Sequence, residues 1–112
     1  MMLNVNIDKF QKCLVEKRFY DAHEALEDLW FPRRFEDNAE VKLLKGFINA
    51  AVSFELSKRG RKEQSKRVWD TYLKYKSYLA TVDSPYLSLY HTLVYDVESI
   101  ARELAIISPK TH

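Results

Sequence analysis

Punctuation is what this chain lacks. Its 112 residues include two glycines and three prolines, so few places force the backbone to turn, and the runs between them default to long helices. No period-two run bounded by turn residues makes a persuasive strand. Apolar residues recur instead at three- and four-residue steps. Ile7, Phe10 and Leu14 predict a first helix over about 7–17, with Asn6 as its N-cap and Cys13 sharing the buried side. A second helix, about 20–31, ends because Pro32 disfavours helical geometry at the residue before it. The third, about 38–58, opens on Asp37 and Glu40, which resemble a capping box. Leu43, Leu44, Phe47, Ile48, Ala50, Ala51, Val52 and Phe54 give it a wide apolar face, beside a narrow polar stripe of Lys42, Lys45, Asn49 and Ser53. Gly46 inside it costs about 1 kcal/mol relative to Ala, which close approach of another helix would offset.

Gly60 stops the third helix. The fourth, about 61–79, turns Val68, Trp69, Tyr72, Leu73, Tyr75 and Leu79 inward. Ser84-Pro85 starts the fifth, about 85–106, which carries Tyr86, Tyr90, Leu93, Val97, Ile100 and Leu104 on one face and leaves a loose tail from Pro109. His91, Tyr95, Glu98 and Arg102 form its outward stripe. The expected fold class is all-α: one domain over 1–112, a compact bundle of about five helices, mostly antiparallel neighbours, with the third helix central. Lys17-Arg18-Phe19-Tyr20 and Lys58-Arg59-Gly60-Arg61 echo one another at two helix junctions, too faintly to define a repeat.

Charge narrows the partners. The net charge of +2 does not by itself imply nucleic acid or membrane, but its distribution is uneven. From Asp21 to Glu40, seven acidic residues stand against Arg33 and Arg34, a net of −5; from Lys58 to Lys76, eight basic residues stand against Glu63 and Asp70, a net of +6. The single Cys13 excludes an internal disulfide and a Cys-based zinc site of ordinary spacing. No stretch approaches the roughly 18 apolar residues that span a bilayer, and the first ten residues lack a signal-peptide pattern. A cytoplasmic protein without membrane contact is the expectation.

The residues with chemistry cluster in Asp21-Ala22-His23-Glu24-Ala25-Leu26-Glu27-Asp28-Leu29-Trp30. At about 100° per residue, Leu29, Ala22, Leu26, Phe19 and Trp30 fill one arc, His23 closes it and Glu27 lies just beyond. Glu24, Asp28 and Asp21 fall on the far side. His23 and Glu27 thus reach the edge of the buried face one turn apart, a spacing that lets two helix side chains share a metal. Two ligands make no site, so Glu55 and Glu24 would have to complete it. Glu55 is anomalous, because helical geometry places it inside an apolar face, where a carboxylate must pair, protonate or reach an edge. His23 or a Lys is its expected partner.

The segment Phe19 to Trp30, then Lys45-Gly46-Phe47-Ile48-Asn49-Ala50-Ala51 and Lys58-Arg59-Gly60, resembles the small prokaryotic family called domain of unknown function 309, over roughly Phe19 to Leu79. The resemblance rests on an aromatic-rich H-E-x-x-E-x-x-W segment, a Q-G-(L/I)-I-Q-x-A helix and a basic R-R-G turn. Lys45 and Asn49 stand where that pattern has glutamines, and Glu55 where members often carry His. The resemblance implies an all-helical fold and no established activity, cofactor or substrate.

Three functions follow as expectations. The first is a non-enzymatic binding or interaction module, with a polar pocket of His23, Glu24, Glu27, Trp30 and Glu55 for a partner protein or small polar ligand. No cofactor is expected in it, and a homo-oligomer is an open alternative. The second is a hydrolase using a divalent metal on His23, Glu27 and Glu55, with Glu24 as base. The third is an anion or nucleic-acid binder using Lys58, Arg59, Arg61, Lys62, Lys66 and Arg67 at the start of the fourth helix, where clustered cations meet the positive end of a helix dipole. Against that last reading, the basic turn could simply face the acidic segment.

Overall fold

The computed structural model describes residues 2–108, and the tail expected from Pro109 lies outside them. Five α-helices form among the described residues: α1 (Met2–Val15), α2 (Phe19–Trp30), α3 (Ala39–Lys58), α4 (Lys62–Lys76) and α5 (Leu87–Glu103). Single 3-10 turns, Phe31–Arg33 and Ser77–Ala80, close α2 and α4. No strand occurs among the described residues. The fold is the expected all-helical bundle. α2 packs on α1 and α3, α4 packs on α3, and α5 reaches both α3 and α1.

Helix α3 holds the rest because two phenylalanines, seven residues apart on one face, collect rings from the other four helices. Phe47 meets Phe10 of α1, Tyr72 of α4 and Tyr90 of α5, with centroids 6.5, 6.1 and 6.3 Å away. Phe54 meets Phe19 of α2 at 5.3 Å and Trp69 of α4 at 5.9 Å. All of these rings are buried. Aromatic pairs at such separations add about 0.5–1.5 kcal/mol beyond simple burial. Gly46 has the role its position suggested: a Cβ there would lie 2.9 Å from Tyr75 Cβ, so its absence lets α4 approach. Seven residues on, Ser53 and Ser65 make the same approach with hydroxyls. Each Oγ donates to the other's carbonyl at 2.8 Å. Ser53 is therefore a buried helix–helix contact and not part of the exposed polar stripe.

The ends depart from expectation in ways that have physical causes. Asn6 lies inside α1, and its side-chain amide donates to Ala25 O at 2.8 Å, tying α1 to α2. Asn38, not Asp37, caps α3 by accepting from Val41 N at 2.9 Å. Asp37 pairs with Lys42, and Glu40, the expected reciprocal member of the cap, turns inward. Ser84 Oγ accepts from Tyr86 N at 3.1 Å, so Ser84-Pro85 forms a turn ahead of α5. Leu73 is exposed and not turned inward, because the inward line of α4 runs through Ser65, Trp69 and Tyr72. Glu98 also leaves the outward stripe of α5, accepting from Tyr72 Oη and pairing with Lys76.

Candidate functional site

Apolar spacing rolls α2 so that Ala22, Ala25 and Leu26 are buried. Tyr20 and His23 are thereby left on the flank facing α3. From α3 and its C-cap, Val52, Glu55, Leu56 and Arg59 come to the same place, Val52 and Glu55 each one residue past the buried Ala51 and Phe54. Together with Phe19 they line a groove of about 240 Å³. Its walls are mainly apolar, and its polar groups sit at the rim. His23, with a side chain 21% exposed, has Nε2 3.1 Å from Glu27 Oε2, and its ring centroid is 5.7 Å from that of Tyr20.

Across the groove, Glu55 Oε2 accepts from Arg59 Nε at 2.8 Å. The partner of Glu55 is therefore Arg59, one helical turn on, and not His23 or a Lys. The carboxylate is half-buried at the rim rather than enclosed in the apolar face, since residue 55 is rotated about 100° from Phe54. Of the residues expected to share a pocket, His23 and Glu55 line one groove and Glu27 reaches it through His23. Trp30 lies near the other end of α2, with Lys45 Nζ 4.8 Å from its ring centre, and Glu24 is exposed. Among the described residues no group of three or more His, Cys, Asp and Glu is placed to hold a metal ion.

The basic turn is only partly free. Arg59 is held by Glu55, and Lys62 Nζ donates to Ser57 O at 3.1 Å and Ser57 Oγ at 2.9 Å, capping the end of α3. Arg61 reaches Gln64, while Lys58, Lys66 and Arg67 are exposed. The acidic segment finds its cations close by. Arg18 pairs with Asp21, Arg33 with Glu36 and Glu40, and Lys42 with Asp37. Hydrogen bonding to Arg33 lowers the Glu36 carboxyl, and bonding to Lys42 lowers that of Asp37.

Two carboxylates expected elsewhere, Glu40 in a capping box and Glu98 on an outward stripe, do more inside the fold. Glu40, with a side chain 18% exposed, accepts at Oε2 from Tyr90 Oη (2.6 Å) and Ser84 Oγ (2.8 Å), while Arg33 lies 3.5 Å from Oε1. Glu98 accepts from Tyr72 Oη at 3.1 Å and pairs with Lys76 at 2.6 Å. Burial first, and then the adjacent carboxylate, push both phenols above their ordinary range. Glu40 shares its face with Leu44, Phe47, Ala51 and Phe54, and that spacing is the signal that could have found it.

A family model described as a domain of unknown function (DUF309) matches residues 7–68, a stretch that includes every residue lining the groove. No curated protein and no solved structure matches the chain.

Proposed function

The chain belongs to the DUF309 family, whose description assigns no function, and from that premise we propose that it is a non-catalytic recognition module with its ligand seated in the groove between α2 and α3. One observation carries the reading. An apolar trough bears an imidazole on one rim and a carboxylate–guanidinium pair on the other, the usual composition of a site that binds by shape and is oriented by a few polar groups. A volume of about 240 Å³ suits a small molecule or one protein side chain, with an apolar or aromatic body against Phe19, Val52 and Leu56 and a polar head at His23 or Arg59. The metal-hydrolase alternative is less well supported, because Glu55 is engaged by Arg59 and Glu24 is exposed. Anion binding at the basic turn is weakened by the internal use of Arg59 and Lys62.

The test is an amide-resolved NMR titration with a small set of aromatic carboxylates and aromatic amines. We expect shifts concentrated at Tyr20, His23, Val52, Glu55 and Arg59, and their loss in Val52→Trp, which fills the trough while the dispersed spectrum of a folded chain persists. Shifts scattered over the surface, or unchanged by Val52→Trp, would sink the proposal.

A further inference from the structure

The outward stripe of α3 continues beyond the groove. From Val52 towards the helix N-terminus it passes Asn49, Lys45 and Lys42, all half-buried. A ring from a neighbouring element stands beside each lysine. Lys45 Nζ lies 4.8 Å from the ring centre of Trp30 on α2, and Lys42 Nζ 5.1 Å from that of Tyr78 in the turn after α4. Tyr78 stacks on Tyr75 with centroids 6.3 Å apart and planes at 28°, and Lys74 Nζ lies 5.6 Å from Tyr75. Three ammonium groups and three rings therefore lie in one band running from α2 across α3 to α4, with each ammonium beside a ring.

Core packing accounts for part of this arrangement, since Trp30 lies against the core and Tyr75 against Gly46, but it encloses none of the three rings. Trp30, Tyr75 and Tyr78 are each only half-buried, whereas Trp69 and Tyr72 of α4 are fully enclosed. An ammonium resting on a ring that water still reaches is a weak contact, weaker than a nucleobase stacked on the same face.

We propose that this band binds single-stranded nucleic acid. Bases stack on Trp30 and on the Tyr75/Tyr78 pair, displacing ammonium groups from the ring faces onto the adjoining phosphates, so that Lys42, Lys45 and Lys74 neutralise the backbone. Asp37 holds Lys42 Nζ at 2.7 Å, but its side chain is 90% exposed, and an ion pair so open to solvent yields readily to a competing phosphate. Selectivity for single strands follows, because a duplex keeps its base faces inside its own stack. The proposal stands apart from the groove, whose ligand is held by residues at the opposite end of the stripe.

The test uses the full chain and the fluorescence anisotropy of a labelled oligothymidine of about fifteen nucleotides, at about 50 mM salt and above. Binding is expected to be at least about five-fold tighter than to a duplex of the same length, with quenching of Trp emission that disappears in Trp30→Phe. Lys42→Ala with Lys45→Ala should weaken binding about ten-fold and flatten the salt slope by about 1.4, the value for two single-strand phosphate contacts. Tyr78→Leu should weaken it about three-fold or more and leave the slope unchanged. Arg61→Ala with Arg67→Ala should change it less than about two-fold. The proposal is overturned by no binding at low salt, by equal affinity for duplex, or by loss that follows Arg61 and Arg67 in place of Lys42 and Lys45. A stacking-independent response, with Trp emission unchanged, would equally overturn it and leave an acidic protein surface as the better partner. The lysine variants alter only half-exposed side chains and keep the test decisive even if Tyr78→Leu fails to fold.

Discussion

At the scale of single residues, hydrogen bonds that cross between helices count for more than ion pairs at the surface. Glu40 takes two short bonds, from Tyr90 and Ser84, in a setting mostly closed to water, where removing the acceptor strands both donors. Glu40→Ala should cost about 2–4 kcal/mol, read as a shift in the urea midpoint with its slope unchanged. His23→Ala should cost less than about 1 kcal/mol, because its partner Glu27 is nearly half exposed. A loss of several kcal/mol there would show that His23 is a core element and not a groove lining. The phenols of Tyr72 and Tyr90 also carry a pH signature. Their folded-state ionisation is raised, so the folded chain keeps two protons that the unfolded chain releases above about pH 10. Stability is therefore full below that pH and falls as pH rises through it. In Tyr72→Phe with Tyr90→Phe, the part of that alkaline slope measured by denaturation between about pH 9 and 11.5 should shrink.

At the scale of elements, three helices end in one motif. After α1, α3 and α5 a residue turns to positive φ, Lys17 at 59°, Gly60 at 81° and Ala105 at 60°. The next amide reaches back to the helix, Arg18 N to Cys13 O, Arg61 N to Leu56 O and Ile106 N to Ala101 O. This satisfies end carbonyls in the Schellman pattern. Arg18 and Arg61 then serve at once as the N-caps of α2 and α4, with nearly equal dihedrals. The faint sequence echo between these junctions is thus a shared turn geometry. Only Gly60 could be read as a stop beforehand, since Lys17 and Ala105 adopt a conformation that their side chains disfavour. Ala105→Gly should raise stability by about 0.5–1 kcal/mol, and Gly46→Ala should lower it by about 1–3 kcal/mol by pressing on Tyr75. Thermal melts of the two variants moving in opposite directions would confirm both. Helix number, order and the buried lines of α1, α3 and α5 were legible because periodicity reports burial directly. The partners of Asn6, Glu40, Glu55 and Glu98 were not, because they depend on which neighbour each helix end meets, and that is fixed by packing at long range. His23 could be placed at an edge from α2 alone, but the groove needed α3 beside it.

At the scale of the whole molecule, the stretch matched by the family model and the stretch that closes the core do not coincide. The match ends at residue 68, within α4, yet Phe47 at the centre of the core takes one of its ring neighbours, Tyr90, from α5. Tyr90, Leu93, Val97 and Ala101 are fully enclosed. Fully burying a large apolar side chain stabilises by about 1.5–3 kcal/mol, so losing Tyr90, Leu93 and Val97 together removes roughly 5–9 kcal/mol. A domain of this length is stable by only about 5–15 kcal/mol in total. Deleting α5 also strips Glu40 of Tyr90, and Tyr72 and Lys76 of Glu98, leaving a half-buried carboxylate and a mostly buried phenol with fewer partners. A chain ending at Asp83 should therefore keep helical far-UV circular dichroism, since α1–α2 and α3–α4 retain their tight junctions. It should lose near-UV signal and amide dispersion, and it should bind a hydrophobic dye. If the shortened chain instead melts cooperatively near the temperature of the full one, α5 is an accessory, and the segment matched by the family model carries its own core.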